Sequence, residues 1–242
     1  WFDLLADAAR KAGAKVLSFG AGEACDARLI DFQPQADHAV VQARMHGQAL
    51  DFPILQKGFH WGPNSMAVLL MLEALDVSLS DSLAALGSFE PLEGRGAEKT
   101  IHLAGGAFTL IDESYNANPI SMIAAFKSLG ARKTSGRRIV ALTDMLELGE
   151  AGPQYHAGLA EALAQAGIDQ VFCAGPLMKS LWDALPPTRR GGYAESAAEL
   201  APQVTRAVEP GDLVMVKGSN GSKAGAVTAA LAALDARSGK AR

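Results

Sequence analysis

The feature that most constrains the fold lies in the second half of the chain, where short, wholly apolar runs alternate with segments of helical length. Arg138 to Thr143, Gln170 to Ala174 and Asp212 to Lys217 read as strands, and segments near 153 to 166, 176 to 184, 195 to 208 and 222 to 236 read as helices. A strand apolar on both faces must be covered on both faces. When a helix separates consecutive strands, the return path favours parallel pairing with right-handed crossovers. The expected architecture is therefore α/β with a parallel sheet. Ligands of such sheets bind beyond the carboxyl ends of the strands, where loops can aim polar groups at a common point.

The first half has another rhythm. Residues 2 to 12 read as an amphipathic helix stopped by Gly13, followed by a short apolar strand from Lys15 to Phe19, half of an α/β unit. From Ala27 to Leu55 the pattern alternates, and Ala39 to Arg44 can face Gln48 to Ile54 across Met45-His46-Gly47, which predicts a small antiparallel sheet. Helices are expected at Asn64 to Leu75 and Leu79 to Leu86, then a surface loop at Pro91 to Gly96. A second hairpin, Thr100 to Leu103 with Phe108 to Asp112 across Gly105-Gly106, runs into the polar stretch Glu113 to Pro119 before a helix over about 121 to 129. The basic, small-residue-rich segment Gly130 to Arg137 precedes the regular βα units and is the expected boundary, giving domains of 1–132 and 133–242, the latter Rossmann-like.

Composition narrows the function classes. The chain is 49% hydrophobic and 20% charged with a formal net charge of -4, so it carries no basic field that would gather a nucleic-acid backbone. Its two cysteines, Cys25 and Cys173, make neither a disulfide framework nor a four-ligand zinc pattern, which suits a reducing, cytoplasmic setting. No apolar run approaches the roughly 20 residues that cross a bilayer, and no signal-type leader is expected. Oligomeric state is not legible at this level.

Three segments place chemistry-bearing groups after strands. Asp112 to Pro119 offers carboxylates, a hydroxyl, a phenol and two amides, groups that can hold ribose hydroxyls, a base or a phosphate, and that serve equally as turn formers and helix caps. In Gly94-Arg95-Gly96 a guanidinium between two glycines can approach a phosphate or stack on a base, or be a solvated loop arginine. Val216 to Ser222 follows a buried strand and precedes a helix, a turn whose free N–H groups suit an anion. Asn64, with His60, opens a helix and can donate to and accept from an adenine edge, or simply cap it. Gly20-Ala21-Gly22 invites comparison with a dinucleotide fingerprint, but Cys25 stands where the third glycine belongs.

Taken together, Gly58-Phe59-His60 with Asn64, Pro91 to Gly96, the run Leu110 to Pro119 containing S-Y-N-A-N-P, Asp144-Met145-Leu146-Glu147-Leu148-Gly149 with His156, and Val216-Lys217-Gly218-Ser219 resemble the Mur ligases of the MurF type in order and spacing. The resemblance covers nearly the whole chain and is weakest before Leu55. It implies an ATP-binding central domain with a small antiparallel sheet, present here in part, followed by the Rossmann-like domain. It also implies an ATP- and Mg2+-dependent reaction. The carboxylate of a UDP-muramyl tripeptide is phosphorylated, and the amine of D-alanyl-D-alanine attacks the acyl phosphate.

By the same resemblance Asn64 contacts adenine, Arg95 the nucleotide and Glu113 the ribose, while Asn116 and Asn118 lie near phosphates or substrate; Arg95 and Asn116 are the catalytic candidates. Asp144, Glu147, Lys217, Ser219 and Ser222 are the candidates for receiving the amine substrate. Three positions depart from the family pattern: Trp61 replaces a second asparagine, Glu113 a usual aspartate, and Asn220 a frequent arginine. No Gly-x-x-Gly-Lys-Thr type loop occurs in these 242 residues, nor do the family's modified lysine and magnesium ligands. The expectation is a piece of an enzyme about twice as long, inactive by itself. A non-catalytic nucleotide- or partner-binding module derived from a Mur ligase is the alternative.

Overall fold

The computed structural model describes residues 1–90 and 93–238. The chain divides into two compact units, Trp1–Glu90 and Pro91–Arg242.

The first unit contains α1 (Phe2–Lys11), β1 (Phe19–Gly20), β2 (Ala27–Pro34), β3 (Ala39–Met45), β4 (Gln48–Ile54), α2 (Trp61–Ala74) and α3 (Leu79–Ser88). Its sheet runs β1-β2-β3-β4, antiparallel except for β1 on β2. The β3–β4 hairpin closes on two residues, His46 and Gly47, at φ 48° and 86°, the left-handed pair whose twist matches the flanking strands. Alternation buries Val41, Ala43, Met45, Leu50, Phe52 and Ile54 in a core with Met66, Leu69 and Leu70 of α2. A register shift between Leu29 and Asp31 lets both Leu29 and Phe32 join that core, and Ile30 is left exposed. Of the expected strand at Lys15 to Phe19, only Phe19 falls in β1, which extends to Gly20. Helix α2 starts at Trp61, ahead of the expected Asn64, because Pro63 falls in the first turn, where a missing N–H costs no hydrogen bond.

The second unit contains β5 (Ala97–Leu103), β6 (Gly106–Glu113), α4 (Pro119–Gly130), β7 (Arg138–Thr143), α5 (Gly152–Gln165), β8 (Gln170–Ala174), α6 (Met178–Ala184), β9 (Arg190–Ala194), α7 (Ala197–Ala207), β10 (Leu213–Lys217) and α8 (Gly225–Ser238). Its sheet has the order β5-β6-β10-β7-β8-β9, parallel except for the edge strand β5. Side chains alternate across it. Val140 and Leu142 meet Met122, Phe126 and Leu129 of α4 and Leu159 and Leu163 of α5. Ile139 and Ala141, on the other face, meet Leu200 and Val204 of α7 and Val227 and Leu231 of α8. At the amino edge the buried Asp212 carboxylate accepts from Arg137 N, Nε and Nη2 and from Glu209 N, at 2.7 to 3.1 Å.

Two sequence readings change here. The expected boundary at 132/133 separates a hairpin that the sheet keeps. β10 pairs in register with β6, Leu213 with Thr109 through Lys217 with Glu113, so β5 and β6 belong with the C-terminal strands and the compact units divide at Glu90/Pro91. The switch from hairpin to βα units is a local signal, whereas the insertion of the last strand between β6 and β7 is not. Strand β9 has no counterpart among the strands expected from sequence. Its Gly191 and Gly192 weaken any strand signal, yet a Cβ on Gly191 would meet the Phe172 ring at 2.6 Å, so β9 needs glycine to lie against β8.

Candidate functional site

The carboxyl ends of β6, β10, β7 and β8 lie side by side, and their loops carry most of the polar side chains singled out by sequence. Asp112 organises the first of these. Its carboxylate accepts from Gly94 N at 3.1 Å, Ser114 N at 3.1 Å and the Thr228 hydroxyl at 3.1 Å. Gly96 N donates to Asp112 O and Tyr115 N to Gly94 O. The turn at 93–96 is thereby sewn to the S-Y-N-A-N-P segment. Gly94 has φ 72°, and a Cβ there would meet Tyr115 N and Cβ at 2.9 Å, so the close approach requires glycine. Arg95, exposed at the turn's tip, lays its guanidinium 4.1 Å from the centre of the Tyr115 ring. Pro91 and Leu92 of this expected loop lie outside the described residues.

Glu113 ends β6 beside Lys217, which ends β10. The Lys217 side chain is 4% exposed; its Nζ donates to Glu113 Oε2 at 3.3 Å and to Asn116 O at 2.9 Å. Asn116 is exposed and its Oδ1 accepts from Ala117 N at 2.8 Å. Asn118 caps α4 reciprocally with Ser121: Asn118 Oδ1 accepts from Ser121 N and Ser121 Oγ from Asn118 N. For Asn118 the capping reading accounts for the side-chain oxygen.

The turn after β10 is built from hydroxyls. Ser219 Oγ accepts from Leu146 N at 3.0 Å, and Ser219 N donates to Asp144 O. Ser222 Oγ donates to Ser219 O at 2.6 Å, which leaves Thr143 Oγ1 as the donor in its 2.6 Å contact with Ser222 Oγ. Gly218 packs directly on Thr143. The sequence offers Tyr115 only as the phenol of Asp112 to Pro119 and Thr143 only as the end of a strand. Both stand in or beside segments already singled out, and only their contacts distinguish them.

Asp144, at the end of β7, is buried and accepts from Met178 N at 2.8 Å and Leu177 N at 3.3 Å at the start of α6. Burial, opposed by those two N–H groups, holds its carboxyl above the ordinary value. The fold therefore favours protonated Asp144 more than the unfolded chain does. That contribution is complete below the unfolded value and is lost as pH rises through the folded one. Relative to Asp144→Asn, the unsubstituted protein is expected to gain thermal stability as pH falls from neutral into the carboxylate range; a pH-independent difference in melting temperature would refute this. His156, fully buried, accepts from Met145 N at Nε2, 2.9 Å away, so the proton sits on Nδ1 and is donated to Gly152 O at 2.7 Å. It fixes the D-M-L-E-L-G turn in its neutral form. Glu147, in that turn, is exposed with φ 63°. Burial pushes the Cys173 thiol far up, which leaves no thiolate there.

Asn64 lies in the first unit. It is exposed in the first turns of α2 and lines a cavity of about 190 Å³ with Trp61, Val68 and Leu72 of the same helix and Ile54, Leu86 and Phe89. Gln56 Nε2 donates to Phe89 O at 2.7 Å and ties two of its walls. The second unit thus brings together Glu113, Asn116, Lys217, Ser219 and Ser222, with Arg95 on the neighbouring turn and Asp144 beneath.

The family described as Mur ligase, glutamate ligase domain, matches residues 99–220, half of the chain. The chain belongs to the Mur ligase family. Among curated Mur ligases, the UDP-N-acetylmuramoyl-tripeptide--D-alanyl-D-alanine ligase of Rickettsia prowazekii is 27% identical over 208 residues, covering 86% of this chain and 45% of that one. The Bacillus subtilis enzyme of the same name is 25% identical over 210 residues, 85% and 45%. The chain thus spans about half the length of the curated relatives it matches. The crystal structure of MurF ligase from Thermotoga maritima in complex with ADP shares the fold, with a TM-score of 0.77 at 19% identity over 96% of this chain and 52% of that one. The expected Mur ligase architecture holds in the α/β fold of both units.

Proposed function

We propose that this chain is the ATP-closing and amine-receiving part of a MurF-type ligase, which joins D-alanyl-D-alanine to a UDP-muramyl tripeptide at the expense of ATP through an acyl phosphate. The observation that carries the reading is the stapling of the Arg95 turn to the S-Y-N-A-N-P segment by Asp112, next to the Glu113–Lys217 pair at one sheet edge. Family membership and the names of the relatives support it.

In this reading Glu113 holds the ribose hydroxyls and Arg95 binds the nucleotide's negative charge. Asn116 lies near the phosphates, and Asn118 serves them only through its amide N–H2, since its oxygen caps α4. Ser219, Ser222, Asp144 and Glu147 shape the loops that receive the incoming dipeptide, Asp144 from beneath as a support. Charge that develops on phosphoryl and carbonyl oxygens is met by donors already in place, the form of stabilisation that needs no reorganisation during reaction. Among the described residues no group of three or more His, Cys, Asp or Glu side chains is placed to hold a metal by itself.

The test is phosphate release by the complete gene product supplied with ATP, UDP-muramyl tripeptide and D-alanyl-D-alanine. Release is expected to require all three, and the 242 residues alone, which contain no Gly-x-x-Gly-Lys-Thr loop, are expected to give none. Release that ignores the dipeptide, or that needs a single amino acid in its place, would reject the MurF-type assignment.

A further inference from the structure

We infer that Lys217 is a positioning residue that acts through Glu113, aiming one carboxylate oxygen at the nucleotide's ribose and setting the enzyme's preference for a hydroxylated sugar. This rests on the reading of Glu113 given above and adds the residue that orients it.

Glu113 and Lys217 are register partners on adjacent parallel strands, so their side chains leave the sheet on the same face. The Lys217 side chain is 4% exposed and that of Glu113 15%, and the ammonium reaches one carboxylate oxygen only, Oε2 at 3.3 Å. Oε1 is the oxygen that a Cβ on Gly96 would meet at 3.4 Å, beside the Arg95 turn. The two oxygens therefore have distinct surroundings: Oε2 faces the lysine and Oε1 the bare backbone of Gly96. A second bond, Lys217 Nζ to Asn116 O at 2.9 Å, holds the ammonium between strand end and turn. Lys217, which the family resemblance sets among the groups receiving the amine substrate, is here buried with both partners in place, and it fixes a carboxylate that would otherwise sample several rotamers. A glutamate needs this more than a shorter acid would, since it has one more rotatable bond to immobilise.

The readout is discrimination in kcat/KM between ATP and 2′,3′-dideoxy-ATP, measured on the complete ligase. The unsubstituted enzyme is expected to prefer ATP on the order of 100-fold, the worth of hydrogen bonds from hydroxyls to a charged acceptor. Lys217→Met should cut that preference to about 10-fold or less, with KM for D-alanyl-D-alanine changing by no more than about twofold. Glu113→Gln should reduce the preference similarly, and the double variant should fall no further than the lower single variant, because both changes disable one device. A general loss of structure would lower both nucleotides together and leave their ratio intact. If Lys217→Met does not fold, Lys217→Gln, which keeps a donor for Asn116 O, carries the same measurement. A lysine variant with undiminished discrimination, or additive losses in the double variant, overturns the inference alone. An unsubstituted enzyme that is active yet indifferent to the ribose hydroxyls overturns the role of Glu113 and this inference with it.

Discussion

Arg95→Ala and Glu113→Ala are each expected to lower kcat/KM for ATP in the complete ligase by on the order of 100-fold while leaving the fold of the second unit in place. Charged hydrogen bonds contribute roughly 1.5 to 3 kcal/mol each, and about 1.4 kcal/mol is tenfold. Arg95 is exposed and rests on the Tyr115 face, so truncating it removes a cation and a stacked plane without opening a core. Arg95→Lys keeps the charge but not the planar fork, and should recover only part of the loss. Glu113 differs, because its removal strands the ammonium of a lysine that is 4% exposed. Glu113→Gln is therefore the informative companion: it keeps an oxygen for Lys217 and should lose ATP use nearly as far with a smaller drop in melting temperature. Steady-state phosphate release against ATP concentration, with circular dichroism as the check on folding, decides the matter. Unchanged apparent ATP affinity and turnover in both alanine variants would end both assignments.

Gly218→Ala should destabilise the second unit by about 3 kcal/mol, a single methyl group with the effect of a deep core mutation. The added Cβ would fall on Thr143 Oγ1 and within 3.0 Å of Ala224 Cβ and Ser222 Oγ. None of these neighbours can step aside cheaply. Thr143 and Ala224 are fully buried, and the Thr143 hydroxyl is bonded to Ser222, whose own hydroxyl is bonded to Ser219 O. Relieving the clash means breaking a chain of short hydrogen bonds, and a lost buried partner costs about 1 to 3 kcal/mol. Thr143→Ala removes the oxygen in the way, so the pair Gly218→Ala/Thr143→Ala should be more stable than the Gly218 variant alone, a coupling expected only of sites in contact. Urea unfolding followed through Trp182, which lies in the second unit, measures it. A Gly218→Ala protein within about 0.5 kcal/mol of the original would show that the turn is looser than its contacts imply.

Much of this molecule is legible in the order of its residues. The strands at 138–143 and 170–174 carry the expected bounds, and the β3–β4 hairpin closes at His46-Gly47, inside the expected turn. Those elements are set by local chemistry: apolar periodicity, a turn that needs left-handed backbone, a Ser or Asn at a helix start. The polar segments at the carboxyl ends of β6, β7 and β10 were likewise legible, because amides, acids and glycines following a strand form a local pattern.

What the sequence by itself determined, then, is the identity of most elements and which polar segments follow strand ends, since both follow from interactions between near neighbours in the chain. Tertiary structure alone decided that β10 enters between β6 and β7, and with it that Lys217 meets Glu113 across 104 residues of chain and that the unit boundary falls before β5. It also sorted like from like: Asn118 caps a helix while Asn116 leaves its carbonyl to a buried lysine, and His156 supports a turn instead of facing solvent. The physical reason is that pairing between distant strands depends on how whole layers bury their apolar faces together, a sum over the chain that no single window contains.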